Sequence, residues 1–456
     1  MNKELWEKIL QFNFDDPASE YGFSIRLASE NFWTESFTEQ AILEYKKFMY
    51  LATTSEMMVS PSEIVDTVWH QHLIFTQSYQ SFCTLLGKSI QHIPSTHNRD
   101  EFEKFQQAKE RTQTLYSNVF GEQPKGIWEY QSMFDSLNLE KSTLQIRTFL
   151  IFGILGLIAL VAPFYFLLQP IYVEINNPYF VIGFAALSVL TFAGLAFYNR
   201  IQLRNMATEF DKDSFVNHLS PYELVYLKTQ NIKDIINGTV NELIDKNVIF
   251  ANPDKTLDLL KSKKVNSPKE LQTITTLEEL GRIHYPTLLR KLIKKPIFSN
   301  TARCIEAFKK YVITSKKFGR LFYTNFAVLS FLLMLGFIRL VTGIVREKPI
   351  LIILMSIIVL IFLIIKYLNR LPNLLFSETI PNFYKTDILQ RKQIEDHWQW
   401  QYFLVGSAVL TAAFIPVMSY TEKNGSFSDD SGSSGSSCGS SCGSSCSSCG
   451  GCGGGD

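Results

Sequence analysis

The stretch FLIFGILGLIALVAPFYFLL, residues Phe149–Leu168, contains twenty consecutive residues without a charge. A helix rises about 1.5 Å per residue and the hydrocarbon core of a bilayer is about 30 Å thick, so such a stretch can cross a membrane once. Comparable stretches recur at Tyr179–Tyr198, Phe322–Val345, Ile350–Leu368 and Tyr402–Tyr420. The sequence therefore predicts a mainly α-helical, multi-pass protein of the cell membrane.

The first two stretches predict a helical hairpin with both ends in the cytoplasm. Only residues 169–178 join them, which is too short a connection for a folded domain. The positive-inside rule assigns basic flanks to the cytoplasm, and the basic flanks of this pair are Lys141, Arg147, Arg200 and Arg204. The first thirty residues lack the apolar core of a secretory signal, so we also expect a cytoplasmic N-terminus.

A second hairpin, Phe322–Leu368, is predicted to turn at residues 346–349 and carries Arg339 inside its first span. Charged side chains are costly within a bilayer, and long ones near a helix end extend toward the interface. We interpret Arg339 as such a snorkelling residue. A functional intramembrane charge is the alternative.

Residues Tyr402–Tyr420 form the least apolar of the five stretches. Trp398 and Trp400 precede it, as aromatic residues do at membrane interfaces. We predict a fifth span here, with a buried or interfacial helix as the alternative. Five spans place the C-terminal tail outside the cell and four leave it inside, so the side of the tail stays open and the fifth span favours the extracytoplasmic side.

Residues 1–140 are predicted to form a soluble helical domain. Apolar residues recur with helical spacing in Thr38–Leu51 and Asp100–Phe120. Residues 60–63 read Ser-Pro-Ser-Glu, which is typical of a capping box with proline at the first helical position. Gly87 is a plausible C-terminal stop for the helical region that follows.

This domain contains a candidate metal site, whose predicted ligands are His70, His72, Cys83 and His92. Imidazole and thiolate ligands suit Zn or Cu. On a continuous helix, however, His70 and His72 lie about 200° apart and cannot share one ion. The alternative interpretation places His72 in a hydrogen bond within the core and lets Asp66 orient His70.

A wider set of residues around these histidines carries a family resemblance: Pro61, Ile64, Asp66, Trp69, His70, His72, Tyr79, Cys83, Gly87 and His92. Through them, the region of about residues 35–125 resembles the glycine-rich domain-containing protein-like family. Members of that family join a helical N-terminal region to other modules, in several lineages with a low-complexity tail. The resemblance implies no particular biochemical activity.

Residues 200–320 form a basic stretch with 22 Lys and Arg against 13 Asp and Glu. The pattern predicts helices in Ser214–Leu227 and Ile232–Lys246 and a small hairpin in Val248–Leu260, which is compatible with a winged-helix core at residues 214–265. Residues 220–223, Ser-Pro-Tyr-Glu, are typical of a helix cap. Attraction to anionic lipid explains the positive charge better than DNA binding does.

A second resemblance rests on the layout of the chain and on Leu219–Leu227, followed by Val240, Leu243, Ile244, Asp245, Val248 and Ile249. Through these features, the part of the chain from about residue 140 to 456 resembles uncharacterised bacterial multi-pass membrane proteins that end in Gly-, Ser- and Cys-rich tails. It implies a location and an architecture, with a soluble module between membrane hairpins.

Residues 424–456 are predicted to be a disordered tail, because Ser, Gly, Asp and Cys offer little apolar area to offset chain entropy. Cys-x2-Cys spacing suits a thiolate site for Zn or Cu(I). Mixed disulfides or a tail without site chemistry are the alternatives. The tentative ligands in the tail are Cys438, Cys442, Cys446, Cys449 and Cys452.

Two classes of function remain open. The chain has no phosphate-binding glycine loop, nucleophile elbow or His-Glu-x-x-His helix, which favours a non-enzymatic membrane scaffold or sensor. Its expected partners are the lipid bilayer and proteins that bind the cytoplasmic modules, rather than nucleic acid. A membrane-embedded enzyme or transporter without a recognisable motif is the alternative.

Overall fold

The structure, a computed structural model, describes residues 2–92, 99–211, 213–260, 265, 267–389 and 397–424. Its N-terminal unit is helical, as predicted, and packs around one long central helix. The helices of this unit are α1 (Lys3–Gln11), α2 (Phe23–Asn31), α3 (Glu35–Thr54), α4 (Glu63–Ile74), α5 (Thr76–Leu86), α6 (Arg99–Phe120) and α7 (Lys125–Trp128).

The ends of these helices follow local capping chemistry. The Thr34 side chain accepts a hydrogen bond from the Phe37 N–H and starts α3. Ser62, not Ser60, starts α4, because its hydroxyl oxygen accepts from the Val65 N–H. The predicted capping box at residues 60–63 is therefore wrong by two positions. Gly87 ends α5 with φ of 71°, as expected for a glycine stop.

Two long apolar helices follow, α8 (Ile146–Glu174) and α9 (Asn177–Thr208). The chain then forms a mixed module in which an antiparallel three-stranded sheet pairs Phe250 with Asp258 and Leu257 with Ile283. The elements of this basic module are α10 (Pro221–Thr229), α11 (Ile232–Asp245), β1 (Ile249–Ala251), β2 (Thr256–Leu259), α12 (Pro268–Leu280), β3 (Ile283–His284), α13 (Tyr285–Ile293) and α14 (Pro296–Ile313).

The helix cap predicted at the start of α10 is present, and it consists of two reciprocal hydrogen bonds between Ser220 and Glu223. The Ser220 hydroxyl accepts from the Glu223 N–H, and the Glu223 carboxylate accepts from the Ser220 N–H. Pro221 occupies the first helical position, where the missing N–H has no cost. The hairpin predicted in Val248–Leu260 is present as β1 and β2.

A second pair of long apolar helices follows the basic module, α15 (Lys316–Val345) and α16 (Leu351–Asn373). The latter continues through wider helical turns and α17 (Ile380–Phe383). Four helices within the described part of the chain are long and apolar enough to cross a membrane: Ile146–Glu174, Pro178–Thr208, Lys316–Val345 and Leu351–Thr386.

The predicted fifth span is not formed. Residues 398–424 instead contain α18 (Trp398–Val405), a tight turn at Gly406–Val409 and α19 (Ile415–Asn424). The Tyr402 hydroxyl donates to the Asp234 carbonyl, 2.9 Å away, and the Thr411 N–H donates to Asn241 Oδ1 at 2.8 Å. Tyr402, Phe403, Leu410, Phe414 and Val417 of this segment are buried in the core of the head, whereas Val405 and Ile415 are exposed.

The surroundings of Arg339 contradict the interpretation that its side chain snorkels toward the membrane interface. Its side chain is buried and donates to the carbonyl oxygens of Tyr172 and Ile175, the latter at 2.6 Å. Both carbonyls lie at the C-terminal end of α8, where helix carbonyls lack internal partners and the helix dipole attracts positive charge. The arginine of the third apolar helix thus caps the first one.

The N-terminal unit and the basic module share one hydrophobic core. At their interface Lys269 Nζ lies 2.8 Å from Glu35 Oε2. The Glu223 carboxylate also accepts from the Glu35 N–H, at 2.9 Å, and so caps the start of α3 across the interface. We call these two packed units the head.

Candidate metal centre

Three potential metal ligands converge beside the middle of α4. Asp66 and His70 are one turn apart on this helix, and His92 comes from the segment that follows α5. Asp66 Oδ1 lies 2.9 Å from His92 Nε2, and Asp66 Oδ2 lies 3.3 Å from His70 Nδ1. One ligand atom from each residue lies within 4.8 Å of the other two. We call this set the Asp66–His70–His92 cluster.

The spacing is close to what one ion needs. Ligand atoms that each lie about 2.1 Å from a zinc ion are about 3 to 3.5 Å apart, so small side-chain rotations suffice to bring the three together. The side chain of His92 is 14% exposed and that of Asp66 30%, while His70 is 56% exposed. Two ligands are therefore held by the surrounding structure and the third can adjust.

The indole ring of Trp69 supports His92 from the protein side. Their ring centroids are 4.7 Å apart in an edge-to-face arrangement. Trp69 Nε1 donates to the Tyr79 hydroxyl at 3.2 Å, and that hydroxyl donates to the Ile90 carbonyl. This chain of contacts fixes the segment that carries His92, which is the kind of outer support that metal-binding histidines need.

A cavity of about 490 Å³ adjoins the cluster, and Asp66 and His92 form part of its wall. Glu63 and Lys88 supply charged groups to the lining, and Phe48 and Trp69 supply aromatic ones. The cluster therefore lies at the edge of a space large enough for a small molecule. Any coordination position that the protein leaves open would face this space or the solvent.

His72 lies in the hydrophobic core, away from the cluster. Its Nδ1 is 2.9 Å from the Tyr45 hydroxyl and its Nε2 is 3.1 Å from the Ser78 hydroxyl. Burial lowers the pKa of His72 to about 3, so its ring is neutral at physiological pH. This placement agrees with the alternative interpretation, in which His72 faces the core and Asp66 orients His70.

Only two of the four metal ligands predicted from the sequence therefore lie in the cluster. His70 and His92 come together, whereas Cys83 lies on α5 next to Tyr79 and is not part of the cluster. Asp66, absent from the predicted ligands, joins them. Its spacing of four residues from His70 on one helix face was the signal that identified it. The five tail cysteines lie outside the described residues.

The pKa of His72 predicts a pH dependence of stability. The unfolded ring, with a pKa near 6.5, takes up a proton that the folded site excludes until about pH 3. Stability should therefore be complete above about pH 6.5 and fall below it, by about 1.4 kcal/mol per pH unit. Urea unfolding of the detergent-solubilised protein near pH 7 and near pH 5 measures this slope. The His72→Gln variant lacks this proton uptake, so the slope of its stability against pH should be smaller by about 1.4 kcal/mol per pH unit. Equal slopes in the variant and the wild type would contradict the assignment.

A known protein family matches part of the chain. No curated protein and no solved structure matches the chain. The comparisons give no evidence for the resemblance to the glycine-rich domain-containing protein-like family or for that to bacterial multi-pass membrane proteins. Residues 27–117, about one fifth of the chain and including the Asp66–His70–His92 cluster, are similar to the uncharacterised family described as UCP032817-like.

Proposed function

We propose that this chain is a multi-pass membrane protein whose head acts as a non-enzymatic sensor or scaffold and binds a divalent transition-metal ion. The observation that carries the proposal is the convergence of two imidazoles and one carboxylate at Asp66, His70 and His92. This nitrogen- and oxygen-rich set suits Zn²⁺ and related ions.

The membrane placement rests on the four long apolar helices. The excess of basic residues in the stretch 200–320 favours a cytoplasmic head by the positive-inside rule. Four spans return the chain to the side on which it began. The tail that follows Asn424 would then also be cytoplasmic, where thiols stay reduced and soft-metal binding by its cysteines is favoured over disulfides.

The scaffold role rests on the packing of the head. The helix–helix–hairpin order of α10, α11, β1 and β2, extended by β3, supports a winged-helix relationship for the basic module. The ion pair of buried Lys269 with the partly exposed Glu35 links this module to the N-terminal unit that carries the cluster. A partner docked on the basic module could thus respond to the metal occupancy of α4, and we favour a protein partner over DNA.

An enzymatic role is the second candidate. Three protein ligands leave coordination positions for water or substrate, as in catalytic zinc sites and in two-histidine, one-carboxylate iron sites. The cavity of about 490 Å³ beside Asp66 and His92 would admit a small substrate. That cavity is the observation that favours this class.

The test is metal binding by the full-length protein in detergent, with the five tail cysteines changed to serine. We expect one equivalent of Zn²⁺ by calorimetry and a Co²⁺ absorption spectrum typical of nitrogen and oxygen ligands. His92→Ala should weaken binding by more than the roughly 10- to 100-fold that loss of an outer-shell partner costs.

His284→Gln is the matched control, because His284 is an exposed histidine outside the cluster. It should leave binding unchanged. If the metal does not bind, or if His92→Ala and His284→Gln bind it equally well, the metal proposal is wrong.

A further inference from the structure

A second large cavity lies where α9 and α16 leave their apolar stretches. It has a volume of about 790 Å³. The uncharged stretch of α9 ends at Tyr198, and Arg200 and Arg204 follow within two turns and line the cavity. Arg370, just beyond the apolar part of α16, lines it from the other side. Three guanidinium groups therefore surround one space at the level expected for a membrane interface.

The positive charge of this cavity is only partly balanced. Arg370 Nη2 lies 2.7 Å from Glu378 Oε1. Among the residues that the structure describes, Arg200 and Arg204 have no ion-pair partner. Arg200 and Arg204 are four residues apart on one helix, so both project from the same face. An anion that enters the cavity would thus meet two guanidinium groups with free donors.

The other residues that line the cavity form an apolar side and a polar side. Phe197, 69% exposed, and Ala196 form an apolar wall on the membrane side. Asn382 and Thr386 add polar groups on the side of the head. A ligand that fits this division has an anionic group at one end and an apolar part at the other. Guanidinium groups bind phosphate oxygens through paired hydrogen bonds.

We propose that the cavity between α9 and α16 binds the phosphate headgroup of an anionic phospholipid from the leaflet that adjoins the head. Arg200 and Arg204 hold the phosphate, Arg370 adds charge from the opposite wall, and the acyl chains run along Phe197 into the bilayer. Basic pockets at the ends of membrane helices bind anionic headgroups in this way. The proposal rests on the membrane placement proposed above and is independent of the metal cluster.

The test compares lipid binding by purified full-length protein in neutral detergent, using native mass spectrometry. We expect retention of phosphatidylglycerol in preference to phosphatidylcholine. Loss of one arginine near a membrane surface corresponds to a roughly five-fold weaker association, so Arg200→Gln/Arg204→Gln should weaken phosphatidylglycerol binding by about 30-fold. The lysine pair Arg200→Lys/Arg204→Lys keeps the charge and should give an intermediate loss, because it lacks the paired donors.

Arg147→Gln/Arg320→Gln is the matched control. It removes two exposed arginines from the same end of the apolar helices, and neither lines the cavity. It should bind lipid as the wild type does. An equal loss in this control would show diffuse attraction and overturn the proposal, and so would unchanged binding in Arg200→Gln/Arg204→Gln.

Competition separates the lipid from a soluble source of phosphate. Inorganic phosphate and glycerol 3-phosphate should fail to displace the lipid at concentrations that match it, because neither contacts the apolar wall. Displacement by either at equal concentration would overturn the assignment to a lipid. Zn²⁺ binding measured on the same variants should be unchanged, which keeps failure of this proposal distinct from failure of the metal site.

Discussion

Replacing Lys269 with methionine should destabilise the head by about 1.5 to 3 kcal/mol, the usual contribution of a hydrogen bond to a charged group, because Lys269 is buried while the side chain of its partner Glu35 is 39% exposed. Lys269 is 4% exposed, and its ammonium group lies 2.8 Å from Glu35 Oε2. The nearby Glu223 carboxylate is also buried. Without the lysine, two carboxylates would share the interface between α3 and the basic module with no compensating charge.

The directions of the pKa values agree with this role. The ammonium group of Lys269 lowers the pKa of Glu35. Burial alone would lower the pKa of Lys269, but the carboxylates of Glu35 and Glu223 hold it above its usual value. Burial raises the pKa of Glu223. The lysine thus lowers the pKa of Glu35 and opposes the rise that burial causes at Glu223.

Urea unfolding of the full-length protein in detergent measures the effect, and limited proteolysis between the two units reports their separation. Lys316→Met is the matched control, because Lys316 pairs with Glu140 at an exposed position and such pairs contribute about 1 kcal/mol or less. The double variant Glu35→Gln/Lys269→Met should recover part of the lost stability. Equal losses in Lys269→Met and Lys316→Met would contradict the prediction.

Replacing Glu44 with leucine should cost about 3 to 5 kcal/mol, because two buried donors lose their acceptor. Glu44 is 1% exposed on α3, at the centre of the N-terminal unit. Its carboxylate accepts hydrogen bonds from Trp128 Nε1 at 2.7 Å, from the Tyr116 hydroxyl at 2.8 Å and from Lys47 Nζ at 2.7 Å. Leucine would leave the donors of Trp128 and Tyr116 buried without an acceptor.

Trp128 fluorescence and urea unfolding together report this loss. Glu44→Gln is the matched control, because an amide oxygen at the position of Oε2 accepts from both Trp128 and Tyr116 while the charge and the acceptor for Lys47 are removed. It should therefore lose less stability than Glu44→Leu. A leucine variant as stable as the wild type would show that the three hydrogen bonds contribute no net stability.

Much of the helical architecture was predictable because it depends on neighbouring residues. The long apolar helices that include Phe149 and Phe322 follow from the length of the apolar stretches, since backbone groups in an apolar environment must bond within the helix. The start of α10 follows from Ser220, Pro221 and Glu223, which satisfy the first backbone N–H groups locally. Gly87 ends α5 because glycine adopts a left-handed conformation without strain.

The fifth span shows where local composition fails. An apolar segment such as Tyr402–Tyr420 can be buried equally well by lipid or by protein, and composition does not distinguish the two. Here Tyr402 and Thr411 bond to side chains and carbonyls of α11. Only the packed basic module supplied those partners.

The candidate metal site was also only partly predictable from the sequence. The sequence determined that His70 and His72 cannot share an ion on one helix, because their angular separation is fixed by helix geometry. It also placed Asp66 and His70 on one face. His92 contacts Asp66 because of the path that the chain takes after α5. The pairing of Lys269 with Glu35 likewise joins residues that are far apart in the sequence. Local spacing determines which side chains share a helix face, whereas long-range convergence is decided by the packing of whole elements, which only the tertiary structure provides.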